Sequence, residues 1–138
     1  MKHIVHITTA LGVGGSEDFL YNLVKISLNH KYKFSVITLK SGGLYEGRLK
    51  AAGIDVYSLN MNSGSLTITS IARFYKLCRN LKPDLLQGWM YHGNFFALLY
   101  KFFLLRKIPI LWNIRASLYN IKNEKINTRI IIHILKLF

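Results

Sequence analysis

Short apolar runs alternate with amphipathic stretches along the whole chain, and this alternation limits the fold more than any other feature. The first run, residues 3–9, is followed by three glycines and then by apolar residues at helical spacing. This order is typical of βαβ units. The sequence therefore predicts an α/β domain with an open, mostly parallel β-sheet and helices on both faces. We expect a single domain over residues 1–138, a length that suits one hydrophobic core.

The runs and their flanking turn residues predict where each element lies. Strands are expected at 3–9, 34–39, 54–59, 84–89 and 109–115, and helices from Ser16, at 44–52, 66–81 and 94–105, and from about 123. The first helix is expected to bury Phe19, Leu20, Leu23, Val24 and Leu28, and the third Ile68, Ile71, Ala72, Tyr75 and Cys78. The last helix carries an apolar face of Ile130, Ile131, Ile134, Leu135 and Phe138, so we expect a further element to cover it.

The charge balance favours anionic partners, although a cationic surface with no single partner would have the same balance. The chain has 19 Lys and Arg against 6 Asp and Glu, a formal net charge of +13. Nucleic acid, anionic lipid head groups and a diphosphate-bearing substrate all fit this charge. The sequence has no dedicated nucleic-acid motif, so no specific nucleic acid is expected. A single cysteine, Cys78, excludes a disulfide framework and indicates a reducing, cytoplasmic compartment.

The first candidate loop follows the first predicted strand and contains Gly14 and Gly15. In open parallel sheets, ligands bind at the carboxyl ends of the strands, where glycines let the backbone approach an anion. The same glycines can equally serve only to turn a tight connection. The loop has Glu17 where a dinucleotide fingerprint needs a third glycine, and it lacks the Gly-Lys-Ser/Thr of a P-loop.

Two further predicted loops at the same end carry candidate side chains. Residues 87–94 contain His92, whose near-neutral pKa suits acid–base chemistry, although a lone histidine is as often structural. Arg115 ends the fifth predicted strand, where its guanidinium could grip a phosphate or carboxylate or remain a surface cation.

The carboxylates make two other kinds of site improbable. Asp55 and Asp84 lie near the starts of different predicted strands, at the opposite edge from the candidate loops. The other four fall at predicted helix starts, where they compensate the helix dipole: Glu17, Asp18, Glu46 and Glu124. A glycosidase-type carboxylate pair and a metal site are therefore not expected.

Four stretches, 11–17, 42–56, 83–94 and 112–115, together resemble the amino-terminal domain of retaining GT-B glycosyltransferases of family 4. The resemblance implies a Rossmann-like domain that holds the acceptor and faces a second domain holding the sugar nucleotide. It implies that Gly14 and Gly15 face the donor diphosphate or the acceptor, and that His92 is the catalytic residue near the transferred sugar. Arg115 and Asn94 would contact phosphate or acceptor.

The resemblance also implies the partners and their location. The donor would be a nucleotide-diphosphate sugar, with no metal or other cofactor, and the acceptor a glycan or lipid-linked molecule in cell-surface polysaccharide synthesis. We expect a missing carboxyl-terminal domain, an inactive isolated chain, and a possible peripheral contact with the inner, anionic membrane face. Two alternatives stay open: a non-catalytic basic module that binds anionic membrane or polysaccharide, and nucleic-acid binding through the charged surface.

Overall fold

The computed structural model describes residues 1–28, 31–61, 66–103, 108–115 and 124–138. The strands in these ranges are β1 Lys2–Thr8, β2 Tyr32–Thr38, β3 Asp55–Ser58, β4 Leu85–Trp89 and β5 Ile110–Asn113. The helices are α1 Gly15–Ile26, α2 Leu44–Ala51, α3 Ile68–Leu81, α4 Met90–Phe103 and α5 Ile126–Leu135.

The five strands form one parallel sheet in the order β3-β2-β1-β4-β5. Ile4 of β1 lies between Phe34 of β2 and Leu85 of β4. The predicted Rossmann-like α/β fold is therefore confirmed. Because all strands run in one direction, their last residues meet at one edge, which we call the carboxyl edge. The strand order reverses between β1 and β4, and ligands bind at such switch points in open α/β sheets.

Helices cover both faces of the sheet, as predicted. On one face Val5 and Ile7 of β1 pack with Phe74 of α3 and Phe96 of α4. On the other face Val36 of β2 packs with residues of α1 and α2, including Leu20, Val24 and Leu49. The central strand is buried from both sides, which gives the carboxyl edge a rigid support.

Two predictions about α1 are wrong. The helix starts at Gly15 with Gly14 as its N-cap, and the hydroxyl of Ser16 donates to Glu17 instead of capping the helix. Its buried face contains Leu20 and Val24, whereas Phe19 and Leu28 are 42% and 47% exposed. Phe19 faces the carboxyl edge instead, beside Arg115.

The predicted buried face of α3 is wrong except at Cys78, which is buried as expected. Thr67 and Ser70 form a reciprocal capping box that sets the helix start. From that start, residues four apart, Ser70, Phe74 and Cys78, point to the sheet, and Ile68 is 87% exposed.

Helix α4 begins directly after β4, at Met90, where a loop was predicted up to residue 94. Met90 makes the turn with a left-handed backbone, φ 59°. The turn is tight because Gly93 touches the central strand: a Cβ on Gly93 would overlap the carbonyl oxygen of Ile7. His92 and Asn94 therefore lie in the first turns of a helix, not in a loop.

Helix α5 packs against α4, starting beside its first turn and ending beside its last residues. Ile131, Ile132 and Leu135 contact Tyr91 and Leu98. Of the predicted apolar face, Ile131 and Leu135 are thus covered by α4, whereas Ile130 and Phe138 remain mostly exposed. Across the described ranges, no helix combines the length and the apolar character needed to cross a bilayer.

Candidate functional site

The carboxyl edge carries four of the five residues that the sequence singled out. Gly14 and Gly15 begin α1 just beyond β1, His92 lies in the first turn of α4 just beyond β4, and Arg115 follows β5. They do not form one pocket. Gly15 and Arg115 line one cavity, which we name the α1 cavity, and His92 lines another, which we name the His92 cavity; Gly14 lines neither.

The α1 cavity brings Gly15 and Arg115 together. It has a volume of about 540 Å³ and is lined by Gly15, Ser16, Asp18, Phe19, Asn22, Met90 and Arg115. The guanidinium of Arg115 lies over the Phe19 ring, 3.7 Å from its centroid. Stacking over an aromatic face orients the guanidinium without using its N–H groups. The first backbone N–H groups of a helix lack partners within that helix, so this cavity combines two kinds of anion donor.

The carboxylate of Glu17 covers Gly14. Its Oε2 accepts a hydrogen bond from the Ser16 hydroxyl at 2.7 Å and would lie 2.5 Å from a Cβ placed on Gly14. By contrast, a Cβ on Gly15 would meet nothing within 4 Å. An anion therefore has open access at Gly15, whereas at Gly14 it must first displace the Glu17 side chain.

The His92 cavity lies at the same edge, on the other side of the α4 start. It has a volume of about 200 Å³ and is lined by Thr9, Leu39, Lys40, Met61, His92, Lys125, Asn127 and Thr128. Burial, and next the nearby Lys40 ammonium, lower the pKa of His92, and the Glu124 carboxylate opposes this shift. The imidazole is therefore held in its neutral form at neutral pH, in which one ring nitrogen accepts a hydrogen bond or a proton.

Asn94 lines neither cavity. Its side chain is fully buried beneath the first turns of α4 and packs against Gly88. Neither its amide nitrogen nor its amide oxygen has a hydrogen-bond partner within the described ranges. Contact between Asn94 and a ligand therefore stays a prediction.

Three residues at the edge were not singled out from the sequence. Lys40 follows β2, and Lys125 and Thr128 belong to the start of α5. A lysine just beyond the carboxyl end of a strand is a usable sequence signal, and Lys40 fits it. Lys125 and Thr128 had no such signal, because they reach the cavity only through the packing of α5 on α4.

His6 is a further residue that was not singled out from the sequence, and it is buried in β1 beside the end of β4. It is 1% exposed, and its Nδ1 accepts a hydrogen bond from Trp89 Nε1 at 3.2 Å. Burial lowers the pKa of His6 to about 3. The bond fixes the last residue of β4, from which the turn into α4 and His92 begins.

The two strand-start carboxylates lie at the opposite, amino edge. Asp84 accepts a hydrogen bond from the backbone N–H of His3 and pairs with Lys2 at 3.7 Å. Asp55 begins β3 and pairs with Lys33 at 3.6 Å. In the part of the chain that the structure describes, no three His, Cys, Asp or Glu side chains are placed to hold a metal ion.

No protein-family model matches this sequence, and no curated protein matches it. The likeness to family 4 glycosyltransferases therefore depends on the four sequence stretches alone. The geometry of the carboxyl edge is a second observation that bears on function, and it does not depend on these sequence stretches.

Proposed function

We propose that this chain is the acceptor-side domain of a GT-B glycosyltransferase. The enzyme moves a sugar from a nucleotide-diphosphate donor to a glycan or lipid-linked acceptor, in cell-surface polysaccharide synthesis at the inner membrane face. The observation that carries the proposal is the carboxyl edge, where Gly15, Arg115 and His92 flank the switch point of a parallel sheet. The fold alone would not support a glycosyltransferase assignment, because this architecture serves many functions.

The residues at the carboxyl edge are suited to the chemistry of sugar transfer. Sugar transfer breaks the bond between the sugar and the donor phosphate, so negative charge grows on the leaving diphosphate. Backbone N–H groups at the start of α1 and the guanidinium of Arg115 can stabilise that charge. His92, held neutral by burial, can orient the acceptor or the transferred sugar through a hydrogen bond. By the family likeness, a second domain holds the sugar nucleotide, and no metal takes part.

The proposal is tested by co-expressing the chain with a candidate nucleotide-sugar domain and measuring sugar transfer. His92→Ala is expected to lower kcat at least about 100-fold, the usual loss for a positioned acid–base group. His133→Ala is the matched control, since His133 is exposed on α5 and bonds only the backbone oxygen of Arg129 in the described contacts. Equal rates for the two variants would refute the role of His92.

A second candidate function, a basic module on anionic membranes, is favoured by a different surface. Phe102, Leu111, Trp112 and Phe138 are each at least 36% exposed and surround a cavity of about 350 Å³ together with Lys101. Exposed aromatic side chains beside a cation suit the interface of an anionic bilayer. If this module is the function, Trp112→Ser will weaken binding to phosphatidylglycerol vesicles, and His92→Ala will not. Equal vesicle binding by wild type and Trp112→Ser would refute it.

A further inference from the structure

The His92 cavity collects two lysine cations and one imidazole from three separate parts of the chain. Lys40 follows β2, His92 belongs to α4, and Lys125 precedes α5. Neither lysine forms an ion pair with another described residue, whereas Lys2, Lys33 and Lys50 do. Among the described residues Glu124 is the one carboxylate that shifts the pKa of His92, so the two lysine cations outnumber it.

The other residues that line the cavity include hydroxyl side chains and an apolar side. Thr9 and Thr128, whose side chains carry hydroxyls, line the same space as the two lysines, at the start of α5. Leu39, which is buried, and Met61 form the apolar side. Cations that share a concave, partly apolar site reinforce one another's potential. Ammonium and hydroxyl groups are suitable donors for phosphate oxygens.

We propose that the His92 cavity is a phosphate-binding subsite, in which Lys40 and Lys125 pair with a phosphate group, Thr9 and Thr128 donate hydrogen bonds to it, and His92 contacts it. A volume of about 200 Å³ holds a phosphate group with accompanying water. This subsite is separate from the α1 cavity. In the glycosyltransferase the phosphate belongs to a lipid-linked acceptor; that assignment rests on the proposed function, whereas phosphate binding itself does not.

Anion binding in this cavity is expected to change the pKa of His92. The charges that face its imidazole are Lys40 beyond β2, and Glu124 and Lys125 before α5. An anion placed among them favours the protonated imidazole, so the pKa of His92 rises on binding. Sulfate, which does not titrate near neutral pH, isolates this effect from the titration of phosphate. Binding of sulfate is therefore expected to tighten as pH falls through the pKa of His92.

The experiment follows the His92 imidazole by NMR in the full chain. Saturating sulfate or inorganic phosphate is expected to raise its pKa by about one to three pH units, as a close opposite charge does. Lys40→Gln and Lys125→Gln should each weaken binding about tenfold. Lys136→Gln, exposed at the far end of α5, is the matched control and should bind as the wild type does. No shift with either anion, or equal affinity for Lys40→Gln and Lys136→Gln, would overturn the subsite.

Two more ligands identify the source of the phosphate. A short-chain phosphatidic acid below its micelle concentration is expected to shift His92, and UDP is expected to bind more weakly there. Tighter binding of UDP at His92 would overturn the assignment to the acceptor. Phosphate binding without sugar transfer in the co-expressed enzyme would refute the proposed function and leave the subsite standing.

Discussion

Replacing Gly93 with alanine tests the contact that brings His92 to the carboxyl edge. Gly93 is in the fourth position of α4, and a Cβ there would overlap the carbonyl oxygen of Ile7 and lie 3.1 Å from its carbonyl carbon. Ile7 belongs to the central strand, which pairs with β2 on one side and β4 on the other. The strand cannot retreat without breaking these ladders, so α4 must move instead.

The expected loss of stability is a difference between two effects. Alanine is a better helix former than glycine by about 0.5–1 kcal/mol. Forcing an extra carbon into a packed contact costs about 1–3 kcal/mol, and here the opposing atoms are backbone. We therefore expect Gly93→Ala to lower the free energy of unfolding by about 1–2 kcal/mol.

Gly47→Ala provides the control because it makes the same substitution where the space is open. Gly47 lies in α2, is exposed, and a Cβ there would meet nothing within 4 Å. It should gain about 0.5–1 kcal/mol from helix propensity alone. Urea unfolding with an unchanged slope measures both changes. If Gly93→Ala raised the urea midpoint as Gly47→Ala does, α4 would not dock on β1 as described.

Three other predictions concern stability and reactivity. Burial lowers the pKa of His6 to about 3, so below pH 6.5 the unfolded chain binds a proton that the folded chain does not. The stabilisation is therefore complete above pH 6.5, and the free energy of unfolding falls by up to about 5 kcal/mol as the pH drops towards 3. The variant His6→Gln should remove this pH dependence from the urea midpoints. Cys78 is fully buried and its thiol pKa is raised by burial, so a thiol reagent should label it only as the chain unfolds; rapid labelling of the native chain would contradict its position. Thr67→Ala removes the α3 capping box and should lower the free energy of unfolding by about 1 kcal/mol. Thr69→Ala is the control and should change it little, because the Thr69 hydroxyl contacts only that of Thr67. Equal urea midpoints for the two variants would refute the cap.

The layer structure was predictable because it follows from patterns that repeat along the chain. Each strand is a short apolar run, and each predicted strand overlaps an observed one to within two residues at either end. Helix starts were harder to predict, since they depend on single local contacts. Met90 adopts a left-handed turn that few non-glycine residues adopt, so nothing in its sequence indicated that α4 begins there.

The candidate site was predictable only in part. Strand-end positions predicted that Gly15, His92 and Arg115 would lie at the carboxyl edge, because parallel strands bring their carboxyl ends to one edge, and they do lie there. The division into two cavities depends on the docking of α5 beside α4 and on the stacking of Arg115 over Phe19. These are tertiary contacts between segments far apart in sequence, and no local pattern encodes them.

We propose that sugar transfer takes place at the carboxyl edge. This is measured as the initial rate of transfer by the chain co-expressed with a candidate nucleotide-sugar domain, with Gly15→Asp compared to Gly47→Asp. Both positions have room for a side chain, and an acid in the first turn of α1 suits the helix dipole, so both variants should fold. We expect at least a tenfold loss of rate for Gly15→Asp alone, since its carboxylate repels the donor diphosphate. Equal rates for the two variants would contradict it.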